Sequence, residues 1–270
     1  MRRNTRATCV GIRSEYGENS PVFLSRVLAE FPEEAGDSLV TGAWVDRANE
    51  LHRTGALEAE ARPFPLVLGV DPARLGPDRT AICIRQGPVV REFRTWRGVD
   101  TMETSDRIRA LVRELLDGGS PVERVIVDEI GLGGGVLDRL RETLADVTWR
   151  EPVGLNGPRP GLAIRSPAAE GFDAGKRAGR PDRFRSLKAQ AYWRVRKLLE
   201  EGRLALPRNP DLAEELTQSR VWFAADGRTE IESKNALRDR IGRSPDLADA
   251  LIISLAPTLE RAGKKRVWFT

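Results

Sequence analysis

Histidine is almost missing: His52 is the single one in 270 residues, and it lies in a polar stretch away from any β-rich run. That argues against nucleophilic triads built on imidazole and against metal centres built on several histidines. Cysteine is as scarce. Cys9 and Cys83 are isolated, too few for a disulfide framework or a zinc site, which fits a reducing, cytoplasmic setting. No apolar run approaches the ~20 residues that a membrane span needs. Met1-Arg2-Arg3-Asn4 is basic, but no apolar core of a signal peptide follows it. Internal repeats and low-complexity tracts are also absent. What remains for chemistry is carboxylate, which without histidine points to hard cations such as Mg2+ or Mn2+.

A net charge of +4 hides an uneven distribution. Between Asn156 and Arg203 twelve Lys and Arg face five Asp and Glu, so the rest of the chain is mildly acidic. A basic segment on such a body suggests a polyanionic partner, although a solvated basic surface has the same composition.

The chain is organised around Leu66-Val67-Leu68-Gly69-Val70-Asp71, an apolar run between Pro65 and Pro72 that ends on an acid. It reads as a short strand buried on both faces. Alone, Asp71 could simply open a turn with Pro72. Thr80–Arg85 and Val89–Trp96 follow after short connections, giving an antiparallel meander. Thr101–Leu116 carries a helical stripe of Ile108, Leu111, Val112 and Leu115, stopped by Gly118-Gly119. Val122–Asp128 is a second buried strand ending on an acid. Gly131–Gly135 turns into a helix with Val136, Leu140 and Leu144 on one face. Trp149–Val153 is expected as the fifth strand, and Asn156–Pro181 as a long mobile loop. Arg183–Glu200 and Pro210–Ser219 are expected helices, and Arg220–Ala224 with Arg228–Glu232 a hairpin turning at Asp226-Gly227. In the last helix Ser244 is expected to cap, Pro245 to occupy the first position and Asp246 to complement the dipole. Asp249 has no such structural role among its apolar neighbours. Strand–helix–strand order in the second half implies parallel pairing, so this is an α/β chain with a mixed sheet and helices on both faces.

Ahead of this body, residues 1–62 read as a connecting segment with short helices near Ser20–Ala29 and Ala43–Leu51. Residues 63–262 form the main domain and 263–270 a basic tail. Two nucleotide-binding motifs fail. Gly171–Arg177 is one residue short for a P-loop and ends in Arg. Gly131-Leu132-Gly133 lacks the third glycine of a dinucleotide fingerprint, with Val136 in its place.

Four stretches carry a resemblance: GVDPARLGPDRTAI (69–82), VDEIGLGGGVLDRL (127–140), IESKNALRDR (231–240) and GRSPDLADAL (242–251). With the element order, they resemble the nuclease domain of a tailed-phage terminase large subunit, of ribonuclease H-like fold with a mixed five-stranded sheet. EYGENSPVFLSRVLAEFP (15–32) resembles the segment that joins this nuclease to its packaging ATPase; no phosphate-binding loop is found in these residues. The resemblance implies a two-metal endonuclease using Mg2+ or Mn2+ that cuts concatemeric double-stranded DNA in the host cytoplasm. Asp71, Asp128 and Asp249 would be the catalytic and metal-binding acids, and Asp246 matches the additional acid of the related resolvase branch. Implied partners are a separate terminase ATPase, a small terminase subunit or a portal protein. Arg185, Lys188, Arg196, Lys176, Arg177 and Lys234 are the candidate DNA contacts. Alternatives are a stand-alone resolvase-like nuclease acting on branched DNA, and a non-catalytic DNA- or portal-binding remnant.

Overall fold

The computed structural model describes residues 37–73, 78–150, 164–224 and 226–256. The expected helix at 20–29, the joint at 15–32 and the basic tail lie outside them. The described chain opens with a two-residue strand, β1 (Asp37–Ser38), and the helices α1 (Gly42–Thr54) and α2 (Glu58–Ala61). The meander follows as β2 (Leu66–Asp71), β3 (Thr80–Gln86) and β4 (Val89–Trp96), then α3 (Thr101–Asp117), β5 (Val122–Asp128) and α4 (Gly133–Thr143). A small hairpin, β6 (Trp149–Arg150) with β7 (Ile164–Arg165), precedes β8 (Ala168–Phe172). The rest is α5 (Leu187–Glu200), α6 (Pro210–Gln218), the hairpin β9 (Arg220–Phe223) and β10 (Thr229–Ile231), α7 (Lys234–Ile241) and α8 (Asp246–Ser254).

The main sheet has five strands in the order β4-β3-β2-β5-β8. The meander pairs antiparallel; β2–β5 and β5–β8 pair parallel. The mixed five-stranded sheet is therefore present, but its fifth strand is β8, not Trp149–Val153. Trp149 and Arg150 pair instead with Arg165 and Ile164. β8 falls within the stretch expected to be a loop, because Ala-Ala-Glu-Gly-Phe has neither β-branched residues nor apolar alternation. Its place is set by β5, whose Arg124 pairs with Glu170 at 2.5 Å.

Side chains alternate across the sheet with the period of two that a strand imposes. Leu66, Leu68, Val70, Ile82 and Ile84 share one apolar cluster with Ile108 and Val112 of α3 and with Val136 and Leu140 of α4. Val67, Ala81, Cys83 and Ile126 pack on the other face with Val195 of α5, Leu216 of α6 and Leu251 of α8. Leu39, Val40, Val45 and Ala48 join that second cluster, so residues 39–48 contribute to the core. Helix α5 begins at Leu187 with Ser186 as its cap, later than Arg183, because Phe184 bridges to Thr229 and the Arg183 carbonyl accepts the Thr229 N–H. Among the described residues no helix is long and apolar enough to cross a membrane.

Candidate functional site

Asp71 and Asp128 end neighbouring parallel strands one rung beyond the Val70–Val127 pair, so both acids leave the sheet at the same edge. Helix α8 brings two more. It crosses β2 at Gly69, where a Cβ would stand only 2.3 Å from Ala250 O and Ser254 N. A side chain there would push the helix off the sheet. On the other side, a Cβ at Gly133 would stand 1.5 Å from Asp128 O, so glycine lets α4 start directly beneath that strand end.

The result is a cleft of about 340 Å³ with Asp71, Asp128, Lys188, Tyr192, Lys234 and Asp249 in its wall. Asp246 stands behind it, 3% exposed. Lys234, the first residue of α7, places its ammonium among three carboxylates: 2.8 Å from Asp71 Oδ2, 3.1 Å from Asp249 Oδ2 and 3.4 Å from Asp246 Oδ1. Tyr192, buried on α5, donates its hydroxyl to Asp249 Oδ1 at 2.8 Å. Lys188, one turn earlier, has its Nζ 3.8 Å from that oxygen. Asp128 Oδ1 accepts the N–H of Ile130 at 3.2 Å.

Electrostatics separate the acids. Burial pushes the Asp71 carboxyl well above the usual range; Lys234 opposes this and the charges of Asp249 and Asp246 add to it. Burial also raises Asp128, against the hydrogen bond from Ile130. Asp249 is buried too, but two lysines and the Tyr192 hydroxyl outweigh that and hold it below the usual value. Burial disfavours charge on Lys234, yet Asp249, Asp71 and Asp246 together raise its pKa well above that of a free lysine. Tyr192 is raised by burial and by the adjacent Asp249 charge.

Four carboxylates at one strand edge form a donor set of hard oxygens, suited to Mg2+ or Mn2+. Among the described residues no three His, Cys, Asp or Glu side chains stand as a ready metal-binding group. Three of the carboxylates are drawn around Lys234, the cation that offsets part of their charge here. By donor chemistry alone the oxygens suit divalent ions, while in this arrangement Lys234 holds the position of counter-charge.

The other expected contacts divide. Lys188 lines the cleft. Lys176 is exposed and pairs with Glu129 at 2.6 Å, next to Asp128, and Arg177 is exposed beside it. Arg185 faces Asp226 and Glu230 at 3.6 and 3.5 Å. Lys234, expected on the DNA surface, belongs to the acid cluster. Arg196 lies between the rings of Trp44 and Trp193 and donates to Leu39 O at 2.9 Å, which ties α1 to α5.

Two participants escaped the sequence reading. Tyr192 follows Lys188 at i+4 on the same helix face, the signal that was available. Glu215 is buried between Leu212 and Leu216, and an acid at an apolar position of α6 was the sign. Burial raises its pKa to about 7 against the Ala248 N–H and Arg79. Ser244 does not cap α8: the cap position is Pro245, and the Ala248 N–H goes to Glu215 Oε2 at 2.8 Å.

By sequence the chain matches no family profile and no curated protein. By structure it is similar to the nuclease domain of the large terminase subunit gp2 of bacterial virus Sf6. The TM-score is 0.65 at 20% identity, over 81% of this chain and 98% of that one. Mutant forms of that domain, one with manganese and beta-thujaplicinol and one with calcium, give TM-scores of 0.64 and 0.63 at 20% and 21% identity, with the same coverage. The chain has the ribonuclease H-like fold of a phage large-terminase nuclease domain.

Proposed function

We propose that this protein is a metal-dependent DNA endonuclease of the terminase type, cutting concatemeric DNA in the host cytoplasm during genome packaging. The observation that carries the reading is the convergence of Asp71, Asp246 and Asp249 within 3.4 Å of one ammonium group, in a cleft shared with Asp128. Carboxylates so close repel unless cations lie between them. Asp71, Asp128 and Asp249 would hold two Mg2+ or Mn2+ ions, with Asp246 as a further ligand. Such ions supply an activated water and neutralise the leaving oxygen of a phosphodiester.

The chain's own residues do the rest. Tyr192 and Lys188 fix the orientation of Asp249. Lys188, Lys176 and Arg177 bind the DNA backbone beside the cleft. Lys234 offsets part of the charge of the acids when no divalent ion is bound. The nuclease would work with a separately encoded terminase ATPase, a small subunit or a portal protein.

The test is to incubate the purified chain with linear and supercoiled duplex DNA, with Mn2+ and with excess EDTA. Cutting should require the ion and vanish in a folded Asp128→Asn variant. Undiminished cutting in EDTA would sink the reading.

A further inference from the structure

Helix α8 carries Asp246 and Asp249, and every helix leaves its first N–H groups without partners of its own. Pro245 supplies no side-chain acceptor, and Ser244 Oγ is buried without a hydrogen-bond partner among the described residues. The acceptor comes from a different helix. Glu215 of α6, completely buried, takes the Ala248 N–H on Oε2. Its other oxygen accepts from Arg79 Nη2 at 3.0 Å, while Arg79 Nη1 reaches Asp211 at 2.9 Å. Arg79 immediately precedes β3, in the connection that leaves Asp71. Its backbone N–H is directed at Asp246 Oδ2, 3.4 Å away.

A third carboxylate beside the end of a helix that already carries two is a costly choice. An apolar side chain between Leu212 and Leu216 would fill the same space without desolvating a charge. The charge has a structural return: it joins α6, the β2–β3 connection and the first turn of α8 at one point.

We infer that Glu215 and Arg79 are positioning residues for the carboxylate cluster, capping α8 from α6 and fixing Asp246 and Asp249 relative to Asp71. The inference rests on the nuclease reading above. It assigns neither residue to the metal or to the DNA.

The test compares Glu215→Ala, Glu215→Asp and Glu215→Gln in the full chain. Mn2+ affinity is read by calorimetry, kcat and KM by DNA nicking, and folding by circular dichroism and melting. Loss of the partners that orient metal ligands costs roughly 10- to 100-fold in affinity or activity. The alanine variant should show losses of that order in Mn2+ affinity and kcat, with KM for DNA unchanged. Glutamine keeps one acceptor for the Ala248 N–H but turns its donor NH2 towards Arg79, so it should recover part of both, less than glutamate and more than alanine. Aspartate keeps the charge but is one methylene too short, so it should behave like alanine, and it decides the matter if the alanine variant does not fold. Variants that melt earlier yet bind Mn2+ and turn over like the unaltered chain overturn the inference. An unaltered chain that neither binds Mn2+ nor cuts overturns the nuclease reading, and this inference with it.

Discussion

At the residue scale, three of the carboxylates meet at one ammonium whose position its own sequence does not announce. Lys234 opens a short polar helix with Asn235, Arg238 and Asp239, a setting that reads as a solvated surface. Only the fold brings it to Asp71, Asp246 and Asp249. Removing it should leave the carboxylates facing one another. Lys234→Ala is expected to lower the melting temperature in EDTA and to bind Mn2+ more tightly than the unaltered chain, so that the ion restores the lost stability. A variant with unchanged melting in EDTA and unchanged Mn2+ affinity would show that the ammonium is not the counter-charge. Asp71 gives the complementary case. Its folded pKa lies well above the ordinary value of 3.8, chiefly through burial, so the folded state binds this proton more tightly than the unfolded state does. Stability from this group is present below the unfolded pKa and is lost as pH rises through the folded one. Asp71→Asn should therefore melt higher than the unaltered chain at pH 8 without metal, with the gain disappearing towards pH 4, while cutting is abolished. An equal gain at both pH values would contradict the assignment.

At the element scale, legibility followed the source of each element's stability. Strands β2, β3 and β5 were readable because they are rich in Val and Ile and their apolar positions are buried. Strand β8 was not, since its small residues are placed by the Arg124–Glu170 pair, whose partners are 46 residues apart in the chain. The end of β5 and the helix after it followed from the glycines, but the cap of α8 did not. Ser244-Pro245 mimics a local start signal, and the real acceptor, Glu215, lies on another helix. The contact between β2 and α8 was likewise invisible, although Gly69 marks it. A methyl group at Gly69 would meet backbone atoms of α8 at 2.3 Å, which cannot rotate away. Gly69→Ala should cost about 1–3 kcal/mol of stability, as overpacking does. It should also reduce cutting by more than the unfolded fraction explains, because α8 carries two of the acids. Urea unfolding alongside nicking rates at low temperature checks this; full activity at reduced stability would mean the acids tolerate the shift.

At the scale of the whole molecule, the described charges of the basic segment, those from 164 to 203, divide into charges that hold the fold and charges proposed to meet DNA. Arg194 donates to Leu255 O, Arg196 to Leu39 O, and Lys197 pairs with Glu200. The composition of the segment could not make that division, because it depends on which face of α5 meets the core. Lys188 in the cleft wall, with Lys176 and Arg177 exposed a few residues beyond β8, are the charges that the proposed function assigns to a phosphate backbone near the acids. Each phosphate contact steepens the dependence of binding on salt by roughly 0.9 in log K against log salt. Replacing Lys176, Arg177 and Lys188 together by alanine should flatten that slope by about two to three units. Binding to unrelated duplex sequences should weaken alike, since backbone contacts carry no sequence information. Arg196→Ala should do the opposite: the slope stays as it was, while the protein melts earlier because the stack between Trp44 and Trp193 is lost. Fluorescence anisotropy on two unrelated duplexes, titrated over a salt series in EDTA so that no cutting intervenes, separates these outcomes. An unchanged slope in the triple variant, or a flattened slope in Arg196→Ala, would place the DNA on a different face of α5 from the cleft.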